Sequence, residues 1–405
     1  MKGHFYKPHC KCPGKKKKRC SCGATWSFML DIGKDPVSGK RKQKKKGGFK
    51  TKTEAEAAAA ILSAELSQGT FIEEKNITFE QFSKQWLAGY ESTGKVKIST
   101  INHRKYQISI LMPWFAKLKM KDITKKKYQD ALNNLKKKYS DNTLAVTHCT
   151  GKMIFNKAVE MDIIKSDPTQ FAHVPKVQKT VEELESEEET VKYLEKDELV
   201  KFLQTAKNTG SYKDYIIFKT LAYTGMRAGE LCALKWKDIN FESQQINITK
   251  TYYNPTNNTR KYYLLPPKTK SAVRKIDVEI GLLSEIDTHR RIQNKVKMKH
   301  RDIYDNEDFV FANSDKYPGY PEYPKNIRDR MKRILKLASL NTNLTPHSLR
   351  HTHTSLLAEA GVSLDIIIDR LGHKSDEITK NIYLHVTKPK KKEASQKFDE
   401  LMGSL

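Results

Sequence analysis

No apolar run in this 405-residue chain approaches the ~20 residues that a membrane-spanning helix requires, and no basic amphipathic helix dominates it. A membrane is therefore not the expected partner. The first residues, MKGHFYKPHCKC, lack the apolar core of a signal peptide, so a cytoplasmic location is expected. Acidic side chains are scarce: 47 Asp and Glu face 75 Lys and Arg, for a net charge of +28. A chain so short of carboxylates is expected to partner a polyanion, and nucleic acid is the default. From about residue 194 onward there is also no carboxylate cluster of the kind a metal-dependent nuclease needs. The length calls for two to four domains.

The charge is unevenly spread. Residues 1–52 hold 17 Lys or Arg and, of acids, only Asp31 and Asp35, a net of +15. Residues 181–200 hold nine acids against Lys192 and Lys196, a net of −7, and the first part of that stretch reads as a solvated interdomain linker. Four of the six cysteines, Cys10, Cys12, Cys20 and Cys22, form two C-x-C pairs in HCKCPGKKKKRCSCG. In a reducing compartment a disulfide framework is not expected, whereas four thiolates on a tight loop can close a tetrahedral structural zinc site. The pairs are closer than the usual C-x-x-C knuckle, and free thiols on a basic loop are the alternative. Cys149 and Cys232 read as core residues.

The stretch TWSFMLDIGKDPVSGKRKQKKKGGFKTKTEAEAAAAILSAEL predicts a strand, a DPVSG turn, a basic strand and a helix capped by Thr53, with Glu54 and Glu56 in its first turn. Lys42, Lys44, Lys45, Lys46 and Lys50 suit contacts to DNA; a sheet edge kept soluble by lysines is the plainer alternative. Residues 77–172 carry helical spacing in four segments and predict a four- or five-helix domain, whose lysines (Lys119, Lys121, Lys125 to Lys127, Lys136 to Lys138) suit a phosphate backbone. From about residue 194 the chain is α-rich again, with strand composition in QQINITKTYY, KYYLLP and VRKIDVE and three closing helices.

TPHSLRHTHTSLLAEAG, residues 345–361, is the first of those three. Thr345 suits the N-cap, Pro346 the first helical position and Gly361 the C′ position. At about 100° per residue, His347, Arg350, His351 and Thr354 share one arc, with Leu349, Leu356 and Ala360 opposite. An arginine and histidines on a first turn, where backbone N–H groups already favour an anion, suit a phosphate. The H-x-x-x-H spacing could hold a metal, but it lacks the Glu that a zinc hydrolase places after its first His.

Taken in order, YTGMRAGELCALKWKDINFE, PPKTKSAVRKI, HSLRHTHTSLLAEAGV and LGHKSDEITKNIYLHV resemble the catalytic domain of the tyrosine recombinases, the phage-integrase family. The preceding helical region resembles that family's core-site-binding domain, and the strand-turn-strand-helix stretch is similar to its three-stranded arm-binding domain. The resemblance covers nearly the whole chain and implies a multidomain α+β fold. Residues 1–70 would be an arm-type DNA-binding domain with a cysteine-rich N-terminus, a small three-stranded sheet plus helix. Residues 71–175 would be an all-α core-site-binding domain and 176–193 an acidic linker. Residues 194–390 would be a mainly α catalytic domain with a small antiparallel sheet, and 391–405 a C-terminal tail that docks on a neighbour.

Residue by residue, the resemblance implies Arg227 and Arg350 as the paired arginines, Glu230 as their support, Lys268 as the β-hairpin lysine, His347 and His373 as the histidines, and Tyr383 as the nucleophile. The chemistry makes sense of each type. Two guanidiniums stabilise the charge that grows on a phosphodiester in its transition state. Tyrosine, with an unperturbed pKa of ~10, needs nearby cations and a proton acceptor, for which His347 is the candidate. His373 would hydrogen-bond the non-bridging oxygens and Lys268 would protonate the leaving 5′ oxygen. The implied activity is DNA strand cleavage and rejoining through a 3′-phosphotyrosine and a Holliday junction, integrating and excising a mobile element with no cofactor required for catalysis. The implied partners are double-stranded DNA at core and arm attachment sites, three further copies in a homotetramer on synapsed DNA, an excisionase and a host DNA-bending protein. A type IB topoisomerase would share this chemistry but has no need of an arm-binding domain, and a non-catalytic DNA-binding regulator would leave Tyr383 idle.

Overall fold

The alternation in WSFML sets Trp26, Phe28 and Leu30 on one face of a strand, and in the computed structural model of the chain that face is buried. The structure describes residues 3–10, 12, 22–34, 39–68, 76–176, 193–256, 258–267, 269–372 and 377–386. Most of the expected DPVSG turn, residues 177–192 of the acidic linker and the tail at 391–405 lie outside the described residues. Backbone contacts divide the chain into two units, Met1–Gln178 and Lys179–Leu405.

The first unit begins with an antiparallel sheet of β1 (His4–Tyr6), β2 (Trp26–Lys34) and β3 (Arg41–Phe49), in that order, followed by α1 (Lys52–Ser67). Ala55 and Ala59 of α1 join Trp26, Phe28 and Leu30 in a small core. The cap differs from expectation: it is Thr51, whose side chain accepts from the Glu54 amide at 3.1 Å, and not Thr53. Both threonines have a glutamate three residues on. The earlier pair wins because Glu54 also accepts from the Lys50 amide at 3.0 Å, which satisfies a second N–H at the helix start.

Four α-helices follow among the described residues of the same unit: α2 (Phe79–Ser92), α3 (Ile98–Phe115), α4 (Lys125–Leu135) and α5 (Asp141–Glu160). Thr78, Thr124 and Ser140 cap three of them through their side-chain oxygens. Phe79, Phe82 and Trp86, at helical spacing, meet Phe115, Tyr128 and Phe155 in one core. Of the lysines expected to suit a phosphate backbone, Lys119, Lys121, Lys125 to Lys127, Lys137 and Lys138 are exposed, and Lys136 is half-buried and pairs with Asp141. Cys149 is exposed, contrary to its expected place in the core: the buried stripe of α5 runs through Thr147, Thr150, Gly151 and Ile154, and Cys149 falls beside it.

The second unit runs α6 (Lys196–Thr209), α7 (Tyr212–Thr224), the short α8 (Ala228–Ala233), β4 (Ile239–Asn240), β5 (Gln245–Ile248), β6 (Thr251–Tyr253), β7 (Tyr263–Leu265) and β8 (Arg274–Asp277). Then come α9 (Ile280–Lys299), α10 (Pro324–Leu337), α11 (Pro346–Glu359), α12 (Leu364–Leu371) and α13 (Glu377–Val386). The strands form a three-stranded antiparallel sheet, β4-β5-β8, and a separate β6-β7 hairpin. Phe202, Phe218, Leu221, Met226, Cys232 and Leu349 lie in its core. Lys213 and Glu322, 2.6 Å apart and almost wholly buried, tie α7 to the segment before α10. The Leu194 amide donates to Thr352 Oγ1 on α11 at 2.9 Å, joining the two ends of the unit. Among the described residues no helix is long and apolar enough to cross a membrane.

Candidate active site

Helix α11 is bounded as its sequence predicts. Ser348 Oγ accepts from the Thr345 amide at 3.1 Å, and past its end Gly361 has φ +85° while the Val362 amide reaches back to the Leu357 carbonyl at 3.0 Å. The division of its faces is different from the expected one. Thr354, placed by periodicity on the working arc, is fully buried, and its hydroxyl donates to the Arg350 carbonyl at 3.0 Å; Ala360, placed on the packing face, is exposed. The reason is that α11 packs against both α7 and α13, so two neighbours cover it where the periodicity argument assumed one.

Arg350 is only 2% exposed. Its Nη1 donates to the Gly225 carbonyl at 2.8 Å and its Nη2 to the Leu371 carbonyl at 2.7 Å. Gly225 caps the end of α7 and Leu371 closes α12, so one guanidinium takes carbonyls from the negative ends of two helices. Gly225 has φ +63°, and a Cβ there would lie 2.6 Å from His353 Cδ2 and 2.8 Å from Leu371 Cδ2. Only glycine lets the three segments approach this closely.

Two residues after that turn, Arg227 sits at the N-cap of α8. Its amide donates to Glu230 Oε2 at 3.0 Å and its Nη1 to Oε1 at 2.8 Å. Glu230 is 4% exposed and shares Oε2 with Arg274 Nη2, also at 3.0 Å. Burial alone would push its carboxyl up, but the charge and hydrogen bond of Arg274, aided by Arg227, bring it below the ordinary range.

His347 is exposed and its ring lies 4.8 Å from that of His351, edge to face. Tyr383, on α13, is half-buried against the cluster of Ala358, Ile367 and Leu371. Arg227, Glu230, His347, Arg350 and Tyr383 thus stand on segments that pack on or are bonded to α11 and α12. Lys268 and His373 lie outside the described residues.

Three polar side chains beside this group were not anticipated, those of His353 and Arg274 buried and that of Arg370 half-buried. His353 donates from Nδ1 to the Ala222 carbonyl at 2.9 Å and accepts from Arg370 Nε at 3.1 Å on Nε2, an arrangement that requires the neutral ring. Burial and the adjacent Arg370 push its pKa down to about 3. Arg370 also donates to the carbonyls of Tyr223 and Asp277, and Arg274 Nε donates to the Arg370 carbonyl at 2.8 Å. Arg274 stands one residue beyond PPKTKSA, but nothing in VRKI distinguishes it from the many other basic residues.

In the N-terminal sheet the basic strand does not present a single surface. By register, Lys44 and Lys46 stand opposite Leu30 and Phe28, on the face that α1 covers, whereas Lys45 stands opposite Met29 on the other face. Lys42, Lys45, Lys46 and Lys50 are exposed and Lys44 half-buried. Nearby, the sulfurs of Cys10, Cys12 and Cys22 lie within 4.8 Å of one another, and Cys10 and Cys22 are 3.7 Å apart. That separation matches the edge, about 3.8 Å, of a tetrahedron with Zn–S bonds of ~2.3 Å, so the donors fit zinc. Cys20 lies outside the described residues, and Cys232 is buried, as expected.

Comparison with known proteins places this arrangement. Residues 192–390 match the Phage integrase family, residues 14–66 an Arm DNA-binding domain, and residues 78–136 the Phage integrase N-terminal SAM-like domain. The integrase of Staphylococcus phage L54a is 28% identical over 350 residues, covering 84% of this chain and 98% of that protein. The prophage ps2 probable integrase of Lactococcus lactis is 30% identical over 320 residues, covering 77% and 80%. Among solved structures, the integrase of transposon Tn1549 in complex with a circular intermediate DNA superposes with a TM-score of 0.61 at 23% identity, covering 80% of this chain and 99% of that one.

Proposed function

The chain belongs to the phage integrase family, the site-specific tyrosine recombinases, and from that premise we propose that Tyr383 attacks a DNA phosphodiester to form a 3′-phosphotyrosine while Arg227 and Arg350 bind the phosphate. The observation that carries this reading is the Arg350 fork on the carbonyls of Gly225 and Leu371. It joins the turn before Arg227 to the helix whose side chains pack against Tyr383. A guanidinium has five N–H donors, and the two carbonyl bonds fix its plane without removing its charge, which is the preorganisation a growing phosphorane charge requires.

His347 would accept the tyrosine proton, His373 would bind a non-bridging oxygen, and Lys268 would protonate the 5′ oxygen as it leaves. Glu230 orients Arg227. Tyrosine recombinases need no cofactor for catalysis. The broken phosphoester is conserved as the protein linkage, and the 5′ hydroxyl of a second strand can reverse it. Cys10, Cys12 and Cys22, with Cys20 as the expected fourth ligand, would hold a structural zinc that fixes the segment around β1 and the start of β2.

The domain scheme is an arm-binding domain at 1–70, a core-site-binding domain at 71–175 and a catalytic domain at 194–390. The substrate is double-stranded DNA with core and arm sites, brought together by four copies of the chain in the cytoplasm of a bacterial host, to integrate and excise a mobile element. An excisionase and a host DNA-bending protein would set direction, and residues 391–405 would dock on the neighbouring copy. On a nicked suicide substrate, Tyr383→Phe should form no covalent adduct and retain core-site binding. Adduct formation by that variant would overturn the assignment.

A further inference from the structure

We propose that Arg274 is a positioning residue for strand cleavage, acting through Glu230 to keep the Arg227 guanidinium oriented and its charge available to the phosphate; this rests on the recombinase reading of the same site. Arg274 opens β8, and its side chain is 6% exposed. Its Nε donates to the Arg370 carbonyl at 2.8 Å and its Nη1 to the Ala272 carbonyl at 3.3 Å. These two bonds set the guanidinium plane, and Nη2 then meets Glu230 Oε2 at 3.0 Å.

Charge balance makes this contact more than a brace. Arg227 and Glu230 alone form a neutral pair, with the carboxylate holding the arginine by both its amide and its Nη1. A neutral pair attracts an anion weakly. Adding Arg274 at Oε2, the oxygen that the Arg227 guanidinium does not hold, leaves the group with one net positive charge and draws electron density in Glu230 away from Arg227. Asp238 and Lys250, which line a narrow crevice together with Glu230, pair with each other at 2.5 Å and cancel. Arg370 donates to His353 and to backbone carbonyls. Arg274 is therefore the counter-ion that lets Glu230 orient Arg227 without neutralising it.

The test is single-turnover cleavage of a nicked core-site substrate by the full-length protein, with core-site affinity measured in parallel and folding checked by thermal unfolding. Arg274→Met should cleave about 30- to 100-fold more slowly with affinity within about threefold of the parent, because the contact matters most as charge develops. Arg274→Lys, which keeps a cation beside Glu230, should recover at least about tenfold of that loss.

Glu230→Gln in the Arg274→Met background restores one net positive charge, so the double variant should cleave at least about tenfold faster than Arg274→Met alone, a reversal that a purely structural role does not produce. If Arg274→Met does not fold, the double variant is compared with Glu230→Gln: rates within about threefold support the proposal, and a further tenfold loss refutes it. Parental cleavage by Arg274→Met, or a double variant no faster than Arg274→Met, overturns it. Tyr383→Phe, assayed alongside, separates the two levels. An adduct there defeats the reading of the site, whereas an inert Tyr383→Phe with a fully active Arg274→Met defeats only the role of Arg274.

Discussion

Replacing Arg350 with alanine should damage stability and chemistry together, and the structure sets the size of the first effect. The change removes two hydrogen bonds from a charged donor, at 2.8 and 2.7 Å, and leaves the carbonyls of Gly225 and Leu371 buried without that partner. Hydrogen bonds to charged groups contribute about 1.5–3 kcal/mol each, so the loss is about 3–6 kcal/mol. For a domain of this size each kcal/mol moves the midpoint by about 2–4 °C, so the catalytic unit should melt roughly 6–24 °C lower. Calorimetry of the full chain reads this directly, with Tyr383→Phe, which removes only the hydroxyl of a half-buried side chain, as the control that stays within about 2 °C. Adduct formation should fall in both variants, in Arg350→Ala by about a thousandfold or more through lost charge stabilisation. Arg350→Lys keeps the charge but cannot span two carbonyls, and should melt between the parent and Arg350→Ala. An Arg350→Ala protein that melts within about 1 °C of the parent refutes the view that this arginine ties the two helix ends together.

Stability should also respond to pH through His353, which stays neutral in the fold down to about 3 but titrates near 6.5 when unfolded. The unfolded chain therefore binds the extra proton between those values, and this contribution, complete above about pH 6.5, is lost as pH falls below it. The drop in melting temperature between about pH 7.5 and about pH 5 should be smaller in His353→Gln, and an unchanged drop would remove His353 from the account. Lys268→Ala should cleave ordinary DNA slowly yet recover on a substrate with sulfur at the bridging 5′ position, because a thiolate leaves without a proton; no recovery would take the general-acid role from this lysine. Chelation of zinc should lower the melting transition of the N-terminal sheet and leave cleavage of core-site DNA intact, and an N-terminal transition indifferent to chelator would leave the three sulfurs as free thiols.

The parts of this molecule legible in its sequence are those specified by neighbouring residues. Thr345, Pro346 and Gly361 bound α11 because caps act within one turn, and WSFML declares its buried face because a strand alternates strictly. What was not legible depends on residues that meet across long stretches of chain. Thr354 is buried and Ala360 exposed because α11 lies between two helices, which periodicity along a single helix cannot reveal. Cys149 has a core-like side chain, yet it falls off the buried stripe of α5. Arg274, His353 and Arg370 resemble surface residues by type. They are wholly or partly buried because each satisfies the others or a helix-end carbonyl, and that mutual arrangement exists only once β8, α11 and α12 have been brought together.

Those long spans also govern the order of events while the chain is made. The bonds from Arg350 to Gly225, from His353 to Ala222 and from Leu194 to Thr352 close loops of 125, 131 and 158 residues. None can form until α11 has left the ribosome. The segment at 1–52, with its net charge of +15, emerges roughly 300 residues earlier, an interval of roughly 15–60 s at about 5–20 residues per second. During that interval the nascent chain can associate with polyanions but has no assembled centre with which to break a strand. A product cut short before residue 345 would remain in that condition permanently, competing for DNA with complete copies while being unable to cut it.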